Sequence, residues 1–272
     1  MVFRDAPERG ELPETYCMIA VDLDIEPRIR NEALRSPEKA QWEQAMREEY
    51  NSLVENDTWE VVPRLKSPIR KVLSTRWVYR RKRGAMRKVL RHKARYVVRG
   101  FSQVYGLDFD ETFASVVKAP SYRLFFTLAA KFRWKVHQMD VKTAFLNGDI
   151  EHEIYIEAPE GFGIPPGSVL KLKKALYGLK QSPRQWYKKL RVFLENNGWI
   201  VSQFDQSVFF NGKGTFLIVY VDDILIFRED EDLIIAFKQT LVKTFQMTDL
   251  GRCSYYLGMH VYQDDQGVMY VH

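Results

Sequence analysis

Residues 216–227 read FLIVYVDDILIF, two apolar segments joined by a pair of aspartates. Near-continuous apolar runs of this kind are typical of strands that are buried on both faces, and not of a hairpin on the surface. An acidic pair in a turn has an ordinary explanation, because Asp is common in turns. Beside a core, however, Asp222 and Asp223 would repel each other and cost several kcal/mol unless cations compensate. The stretch therefore predicts a buried sheet with a cation-binding turn.

A third carboxylate follows another predicted strand. Residues 134–139 (WKVHQM) are strand-like and lead directly into Asp140. Magnesium takes hard oxygen ligands, usually one or two carboxylates together with substrate phosphates. Carboxylates at neighbouring strand ends can hold two Mg²⁺ ions about 3.5–4 Å apart, which is the arrangement of polymerases and nucleases. Asp140, Asp222 and Asp223 are therefore the candidate catalytic residues and metal ligands.

The net charge of +6 is concentrated in one part of the chain. Residues 61–107 contain no Asp or Glu but fifteen Lys and Arg, and the remaining 26 basic residues are outnumbered by the 35 acidic ones. A second acid-free stretch, 161–194, contains eight more basic residues. A solvated face or a nuclear localisation signal is the ordinary interpretation of a short basic run. The length of the first run favours a polyanionic partner, whereas for the second stretch both interpretations stay open.

Composition restricts the class of protein. The 272 residues, 46% of them hydrophobic and 28% charged, are ordinary for a globular protein and allow one large domain or two. Cys17 and Cys253 are too few for a disulfide framework, which indicates a reducing compartment. The histidines show no paired spacing, so we expect no structural zinc site. With neither a signal peptide nor a membrane-length apolar run, we expect an intracellular protein in a cytoplasmic particle, the nucleus or both.

The alternation of predicted strands and helices indicates an α+β protein. Residues 1–35 are predicted to be a linker or loosely docked arm, followed by a main domain over 36–272. Residues 59–98 predict a small, basic, mostly antiparallel sheet, and 154–157 a short strand. A helix is expected after the cap signal Ser36-Pro37, with Trp42, Met46, Tyr50 and Leu53 on its apolar face, and another at 121–132 that buries Leu124, Phe125, Leu128 and Ala129. Further helices are expected after Ser182-Pro183 and over 230–246, and residues 255–262 and 268–271 are expected to pair as a hairpin.

Five motifs in this chain resemble those of a known family. YVDDILI (220–226) resembles the active-site signature of reverse transcriptases, and QMDVKTAFLNG (138–148) resembles the motif that supplies the first aspartate. Three segments are similar to copia-type retrotransposons, also called pseudoviruses: WEQAMREEYNSLVENDTWEVV (42–62), KARYVVRGFSQVYGLDFDETFASVV (93–117) and KALYGLKQSPRQWYKKL (174–190). By this resemblance, which extends from about residue 36 to the end, the chain is identified as a member of the reverse transcriptases of copia-type LTR retrotransposons.

The resemblance implies the fold, the activity and the partners. The fold is expected to be a right-hand polymerase, with basic fingers over about 59–120, an antiparallel palm sheet packed on helices over about 121–253, a primer-grip hairpin over about 254–272, and a thumb that is absent or incomplete. The activity is expected to be RNA-directed DNA polymerisation with two Mg²⁺ ions, or Mn²⁺ in their place. Expected partners are an RNA or DNA template with its primer, deoxynucleoside triphosphates, and the ribonuclease H and integrase domains of a polyprotein, which have no motif here; no membrane is expected.

The resemblance also implies roles for individual residues. Val141 falls where the family places a backbone carbonyl on metal, and Phe145 at the aromatic steric gate beneath the incoming sugar, although without the family Phe145 reads as a core aromatic. Further nucleotide-binding candidates are Arg95, Lys88, Tyr177 and Gln181, and the predicted primer grip is Tyr256, Leu257, Gly258 and Met259. Many relatives carry Lys where this chain has Thr248, and Lys243 is the candidate substitute.

Two alternatives come from different classes. The first is a degenerate or truncated copy that binds nucleic acid through its basic face without polymerising. The second is a two-metal nuclease, which fits the three aspartates but leaves Phe145, Tyr177 and the terminal hairpin without a role.

Overall fold

The computed structural model describes residues 25–64, 71–83, 88–264 and 268–271. Over these ranges the chain is an α+β protein. The helices are α1 (Arg30–Arg35), α2 (Lys39–Glu55), α3 (Ala119–Phe132), α4 (Ser182–Asn196) and α5 (Glu231–Thr244). The strands are β1 (Trp59–Pro63), β2 (Val72–Leu73), β3 (Thr75–Arg83), β4 (Val89–Val98), β5 (Lys135–Val141), β6 (Tyr155–Ile156), β7 (Ser168–Leu172), β8 (Ile200–Val201), β9 (Val208–Phe210), β10 (Phe216–Tyr220), β11 (Asp223–Arg228), β12 (Met247–Arg252), β13 (Tyr255–Tyr256), β14 (Met259–Gln263) and β15 (Met269–Val271). Most of the arm predicted for 1–35 lies outside the described residues.

The chain divides into two compact units. One comprises Met1–Glu49 with Trp77–Tyr96, and the other comprises Tyr50–Arg76 with Val97–His272. In the first unit, the indole of Trp42 packs edge-on against the rings of Tyr79 and His92, with ring centroids 5.3 and 4.4 Å apart. This contact joins α2 to β3 and β4, which pair with each other as a two-stranded sheet.

The predicted helix after Ser36 is present, but its start was wrong. Helix α2 begins at Lys39, and the predicted apolar face is confirmed at Trp42, Met46 and Leu53, which are buried. The hydroxyl of Ser36 donates to the carbonyl of Ala33 at 2.8 Å, so Ser36 closes α1 and does not cap α2.

A six-stranded antiparallel sheet, in the order β12-β5-β11-β10-β9-β8, organises the second unit. Leu217 and Ile224 share a buried cluster with Trp186 of α4 and Ile234 of α5. The residues that alternate with them, such as Ile218, Leu225 and Phe227, share another cluster with Phe125 and Phe126 of α3. Because side chains alternate between the two faces of a strand, these clusters cover opposite faces of the sheet. The burial on both faces predicted from the apolar runs is confirmed.

The single basic sheet predicted over residues 59–98 is wrong. Strand β1 pairs with β7, beginning with Trp59 opposite Leu172, in a four-stranded sheet of order β1-β7-β6-β2. Strand β2 pairs in parallel with β6. Strands β1, β3 and β4 are where the pattern predicted strands, but β1 and β2 pair with strands outside the predicted segment, and β3 and β4 pair only with each other.

Two smaller predictions also need correction. In α3 the side chain of Leu124 is 55% exposed, and Phe126 occupies the core in its place. The terminal segment forms three strands, β13-β14-β15, because a turn at Leu257 and Gly258 divides the strand predicted over 255–262.

Candidate active site

The three predicted catalytic aspartates lie at the same end of the neighbouring strands β5 and β11. The pairing of β5 with β11 places Asp140 directly opposite Asp223. Asp222 belongs to the two-residue turn between β10 and β11, since Tyr220 pairs with Asp223. On its other side Asp140 lies opposite Thr248 of β12. Asp140 is the penultimate residue of β5, because this strand continues to Val141.

The turn that carries Asp222 has an unusual backbone. Val221 has a φ of 55°, a left-handed conformation that is strained for a β-branched residue. Two hydrogen bonds hold the turn: the indole N–H of Trp186 donates to the carbonyl of Val221 at 2.7 Å, and the backbone N–H of Val141 donates to the carbonyl of Asp222 at 2.9 Å. Strained residues of this kind concentrate at functional sites.

The carboxylate of Asp223 lies in a poorly solvated environment. Burial raises its pKa, and the neighbouring negative charge of Asp222 raises it further, whereas a hydrogen bond from the buried amide of Gln138 opposes the shift. This bond joins Gln138 Nε2 to Asp223 Oδ1 at 3.0 Å. Burial also raises the pKa of the Cys253 thiol to about 12, with Asp223 adding to the effect. A bound cation would offset the repulsion between the charges of Asp222 and Asp223.

The donor chemistry of this site fits a hard divalent cation. Within the described ranges, no group of three or more His, Cys, Asp or Glu side chains stands in an arrangement that would hold a metal ion by itself. Mg²⁺, however, is usually bound through one or two carboxylates, with water and substrate phosphates completing its shell. Asp140, Asp222 and Asp223 supply oxygen ligands only, on adjacent strands, and are the residues that could hold such an ion.

Phe145 and Tyr177, two predicted nucleotide-pocket residues, contact each other. Phe145 lies in the 3₁₀ turn Ala144–Asn147 that follows β5, and its ring centroid is 4.6 Å from that of Tyr177, with the planes tilted by 57°. Both rings are half-buried. Gly148 lets this turn approach α4, since a Cβ atom there would lie 2.8 Å from the Cβ of Gln185. The glycine of the AFLNG motif therefore has a packing role.

Gln181 is buried, and its amide is engaged within the protein. Its Oε1 accepts from Gln103 Nε2 at 3.0 Å, and its Nε2 donates to the carbonyl of Asp108 at 2.8 Å. Gln103 Oε1 in turn accepts from the backbone N–H of Lys180 at 2.8 Å. Gln103, which the motif analysis did not single out, thus fixes the segment that carries Tyr177 and Gln181.

Lys88 and Arg95 lie in the first compact unit. Lys88 is exposed, directly before β4, and Arg95 is half-buried within β4. The pKa of Glu49 is raised by burial, and the positive charge of Arg95 acts against this shift. The positive charge of Arg95 therefore already interacts with a carboxyl group of the protein, that of Glu49.

The predicted primer-grip residues form a tight β-hairpin. Tyr256 pairs with Met259, and Leu257 and Gly258 form the turn with φ values of 47° and 91°. Positive φ at both central residues is the pattern of a type I′ hairpin. Leu257 and Gly258 are exposed at its tip. Tyr256 is fully buried, and its hydroxyl has no hydrogen-bond partner among the residues that the structure describes.

Most basic residues of the second acid-free stretch are paired with acids, all of them from other segments except Glu195 of the same helix. The pairs are Lys171–Glu153, Lys173–Asp57, Arg184–Glu111, Lys188–Glu151, Lys189–Asp149 and Arg191–Glu195. Pairs also occur in the first run: Arg64–Glu157, Arg80–Glu26, Arg81–Glu38 and Arg91–Glu48. For the second stretch these contacts favour the structural interpretation.

Aspartates on paired interior strands of an antiparallel sheet, followed by a turn that carries one ring of an aromatic pair, define a candidate metal-dependent nucleotidyl transferase. Residues 56–271 match the family described as Reverse transcriptase (RNA-dependent DNA polymerase), and the chain belongs to this family. Together with the relatives below, this match makes the chain a reverse transcriptase domain of copia-type retrotransposons. Reverse transcriptases generally use divalent metal ions, and they act on a nucleic-acid template and deoxynucleoside triphosphates.

Three relatives illustrate this similarity. "Retrovirus-related Pol polyprotein from transposon TNT 1-94" of Nicotiana tabacum is 43% identical over 269 residues, 96% of this chain and 20% of that protein. "Retrovirus-related Pol polyprotein from transposon RE1" of Arabidopsis thaliana is 36% identical over 252 residues, 91% of this chain and 17% of that protein. "Transposon Ty1-DR5 Gag-Pol polyprotein" of Saccharomyces cerevisiae is 30% identical over 208 residues, 71% of this chain and 11% of that protein. The chain thus spans a fifth or less of each relative. No helix in the described ranges is long and apolar enough to cross a membrane.

Proposed function

We propose that this chain extends a primer on an RNA or DNA template by a two-metal mechanism, with Asp140, Asp222 and Asp223 as ligands of two Mg²⁺ ions or of Mn²⁺ in their place. The observation that carries the proposal is the pairing of Asp140 with Asp223, next to Asp222 in the turn. The raised pKa of Asp223, caused by burial and by Asp222, supports it. When bound, the ions would activate the attacking hydroxyl and stabilise the leaving oxygen.

In the proposed reaction the primer 3′-hydroxyl attacks the α-phosphorus of the nucleotide, and the bond to the pyrophosphate oxygen breaks. Gln138 orients the carboxylate of Asp223 through its amide hydrogen bond. Phe145, backed by Tyr177, supports the sugar, and Gln181 positions the Tyr177 segment from within the protein. The exposed tip of the β13–β14 hairpin contacts the primer. The backbone carbonyl of Val141 as a metal ligand, the roles of Arg95 and Lys88 at the triphosphate, and Lys243 as the substitute for a lysine at Thr248 stay predictions.

We further propose that the six-stranded sheet with α3, α4 and α5 is the palm of a right-hand polymerase. Its antiparallel order, with the aspartates on central strands, supports this assignment. In this proposal the basic residues before 120 belong to the fingers. The chain would act within a longer intracellular polyprotein together with ribonuclease H and integrase domains. The lengths of the relatives support this context, since each is at least fivefold longer than its matched part.

The test removes one charge at a time. Asp140→Asn, Asp222→Asn and Asp223→Asn should each reduce primer extension on poly(A)/oligo(dT) with Mg²⁺ by about 100- to 1,000-fold, because each loses a metal ligand. Asp232→Asn removes the same charge on the exposed first turn of α5 and serves as the matched control. Binding of the duplex, followed by fluorescence anisotropy, should change little in all four variants. Near-normal extension by Asp222→Asn would contradict the two-metal assignment.

The same assay separates the alternatives. A wild-type chain that binds the duplex but does not extend the primer would be a non-polymerising copy. A chain that shortens the labelled strands without extending them would be a two-metal nuclease.

A further inference from the structure

Two β-branched residues in the described part of the chain have left-handed backbones, and both adjoin the proposed catalytic centre. They are Thr143, with a φ of 50°, and Val221, with a φ of 55°. Thr143 precedes the turn that carries Phe145, and Val221 precedes Asp222. Since such residues persist only where the surrounding structure enforces them, something must hold Val221 in place.

Trp186 holds Val221 through one hydrogen bond. The side chain of Trp186 is 2% exposed and is fixed in the core, where it packs edge-on against Phe245 with ring centroids 5.2 Å apart. Its indole N–H donates to the carbonyl of Val221 at 2.7 Å. The next carbonyl, that of Asp222, accepts from the backbone of Val141. The turn is therefore attached to α4 on one side and to β5 on the other.

Packing alone does not restrain this side of the turn. An apolar cavity of about 300 Å³ adjoins it, lined among others by Pro183, Trp186, Val219 and Val221. The part of the Val221 side chain that faces this cavity lacks contact atoms there, whereas Trp186 is held by its contact with Phe245 on another side. A directional hydrogen bond from a rigid indole is thus a main restraint on the orientation of the turn.

We infer that Trp186 is a positioning residue for the catalytic turn, and that its indole N–H sets the orientation of Asp222 and Asp223 by fixing the Val221 carbonyl. The inference rests on the proposed function for its effect on catalysis, but not for its effect on the backbone of the turn. In this inference Trp186 acts through the peptide bond that precedes Asp222.

Trp186→Phe tests this role in the full chain, because it removes the donor and keeps an aromatic ring. Amide hydrogen exchange of peptides that contain residues 220–224 should become about tenfold faster, the effect of losing one hydrogen bond of about 1.4 kcal/mol. Primer extension should show about a tenfold lower kcat, with the KM for nucleotide changed less than about twofold, since the nucleotide contacts remain. If the role of Trp186 is purely structural, the variant should have a lower melting temperature, with exchange at residues 220–224 and kcat unchanged.

Trp199→Phe is the matched control. Trp199 belongs to the same buried cluster and is 4% exposed, but it packs on Phe237, with ring centroids 4.7 Å apart. This variant should lose stability without faster exchange at residues 220–224. Equal effects of Trp186→Phe and Trp199→Phe on exchange in the turn would overturn the inference.

A double-mutant cycle with Val221→Asn provides a second test. Asn adopts the left-handed conformation far more readily than Val, so the turn should depend less on Trp186 in that background. Trp186→Phe should then accelerate exchange by less than about threefold in Val221→Asn, against about tenfold in the wild type. If Trp186→Phe accelerates exchange by the same factor in Val221→Asn as in the wild type, the inference is overturned. If the wild-type chain fails to extend primers while Trp186→Phe still accelerates exchange in the turn, the proposed function fails and the positional role of Trp186 stands.

Discussion

Phe145 has features of a core residue and of a site residue. Its ring packs against the buried cluster of the main sheet and against Tyr177, yet it remains half-buried. If the exposed part of the ring lies beneath the sugar, Phe145→Val should raise the ratio of ribonucleotide to deoxynucleotide incorporation, because a 2′-hydroxyl would no longer clash. A core aromatic would instead lose about 2–4 kcal/mol of stability with the ratio unchanged. Single-nucleotide incorporation assays together with the melting temperature distinguish the two outcomes.

Phe193→Val is the control for this substitution. Phe193 packs partly buried against the same cluster, where its ring lies 5.1 Å from that of Phe245. It should lose stability and leave sugar selection alone. If the ratio of ribonucleotide to deoxynucleotide incorporation is unchanged in Phe145→Val, Phe145 is a core residue and not a steric gate.

Gln103 provides a prediction about the order of the predicted nucleotide pocket. Its amide bonds both the backbone of Lys180 and the side chain of Gln181, so Gln103→Leu would leave the buried amide oxygen of Gln181 and the partly buried N–H of Lys180 unpaired. Each such group costs about 1–3 kcal/mol, and we expect a lower melting temperature and a raised KM for nucleotide. Gln103→Glu keeps the acceptor for Lys180 and should recover part of the stability. The exposed Gln239→Leu on α5 is the control, and an unchanged KM would limit Gln103 to a structural role.

At the scale of residues, the local sequence predicts which side chains carry the chemistry better than it predicts which side chains contact each other. The aspartates were nominated because apolar strands adjoin them, and Phe145 and Tyr177 because their motifs resemble a family. Trp186 and Gln138 were missed, since a tryptophan in a helix or a glutamine in a strand is ordinary until a partner is known. Gln138 had one usable signal, its position two residues before Asp140, which places both on the same face of β5.

A cluster of charged residues fastens β12 and β5 to the start of α5. Glu231 accepts from Arg252 at 2.7 Å and contacts the Nε2 atom of His137 at 2.8 Å. The hydrogen bond from Arg252 is the main factor that lowers the pKa of Glu231 to about 2, and His137 contributes to the shift. Burial, followed by the charge of Lys238, lowers the pKa of His137, so the neutral ring is favoured. The cluster therefore needs an ionised Glu231.

The pH dependence of stability follows from the lowered pKa of Glu231. Because its carboxylate is favoured in the folded state, its contribution is present above the ordinary value of 4.5 and is lost as the pH falls towards about 2. Urea unfolding of the wild type should therefore show a loss of stability between these limits, and Glu231→Gln should reduce that dependence. Glu229→Gln, an exposed neighbour of the same charge, is the control. Identical pH profiles for Glu231→Gln and the wild type would show that the cluster does not contribute.

Elements with strong local signals were predicted, and elements defined by pairing were not. The helices α2 to α5 and the strands β5, β10 and β11 have clear apolar patterns, whereas α1, with the sequence RNEALR, has none and was not predicted. Strand β12 reads MTDLGR, with a register shift between Asp249 and Gly251, and it is recognisable only as the partner of β5. Strand β7 was missed for the same reason, because its partner β1 is distant in the sequence. Pairing between distant segments cannot be obtained from the periodicity of either one.

At the scale of the whole molecule, the number of basic residues in a stretch was a poorer guide to its function than the carboxylates with which those residues pair. The two acid-free stretches look alike as sequence, but the second is largely neutralised by acids from other segments. The α+β class and the family followed from local patterns and motifs. The division into sheets and compact units did not, since both depend on contacts between distant residues.

The two basic stretches should differ in how they affect binding of primer–template. Affinity for a duplex falls with salt, with a log–log slope of about −0.9 for each phosphate contact on B-form DNA. In the described part of the chain, Arg76, Lys82 and Arg99 of the first run are exposed and show no ion pair. Their combined replacement by Ala should reduce the magnitude of the slope by about two to three, because up to three contacts are lost.

Lys171, Lys188 and Lys189 of the second stretch serve as the matched set, since each is paired with a carboxylate. Their combined replacement by Ala removes the same number of positive charges, but the slope should stay nearly constant because these charges are already neutralised within the protein. Fluorescence anisotropy titrations at several salt concentrations measure both slopes. Equal reductions in the two triple variants would mean that total charge governs binding, and the assignment of nucleic-acid contacts to the first run would then be wrong.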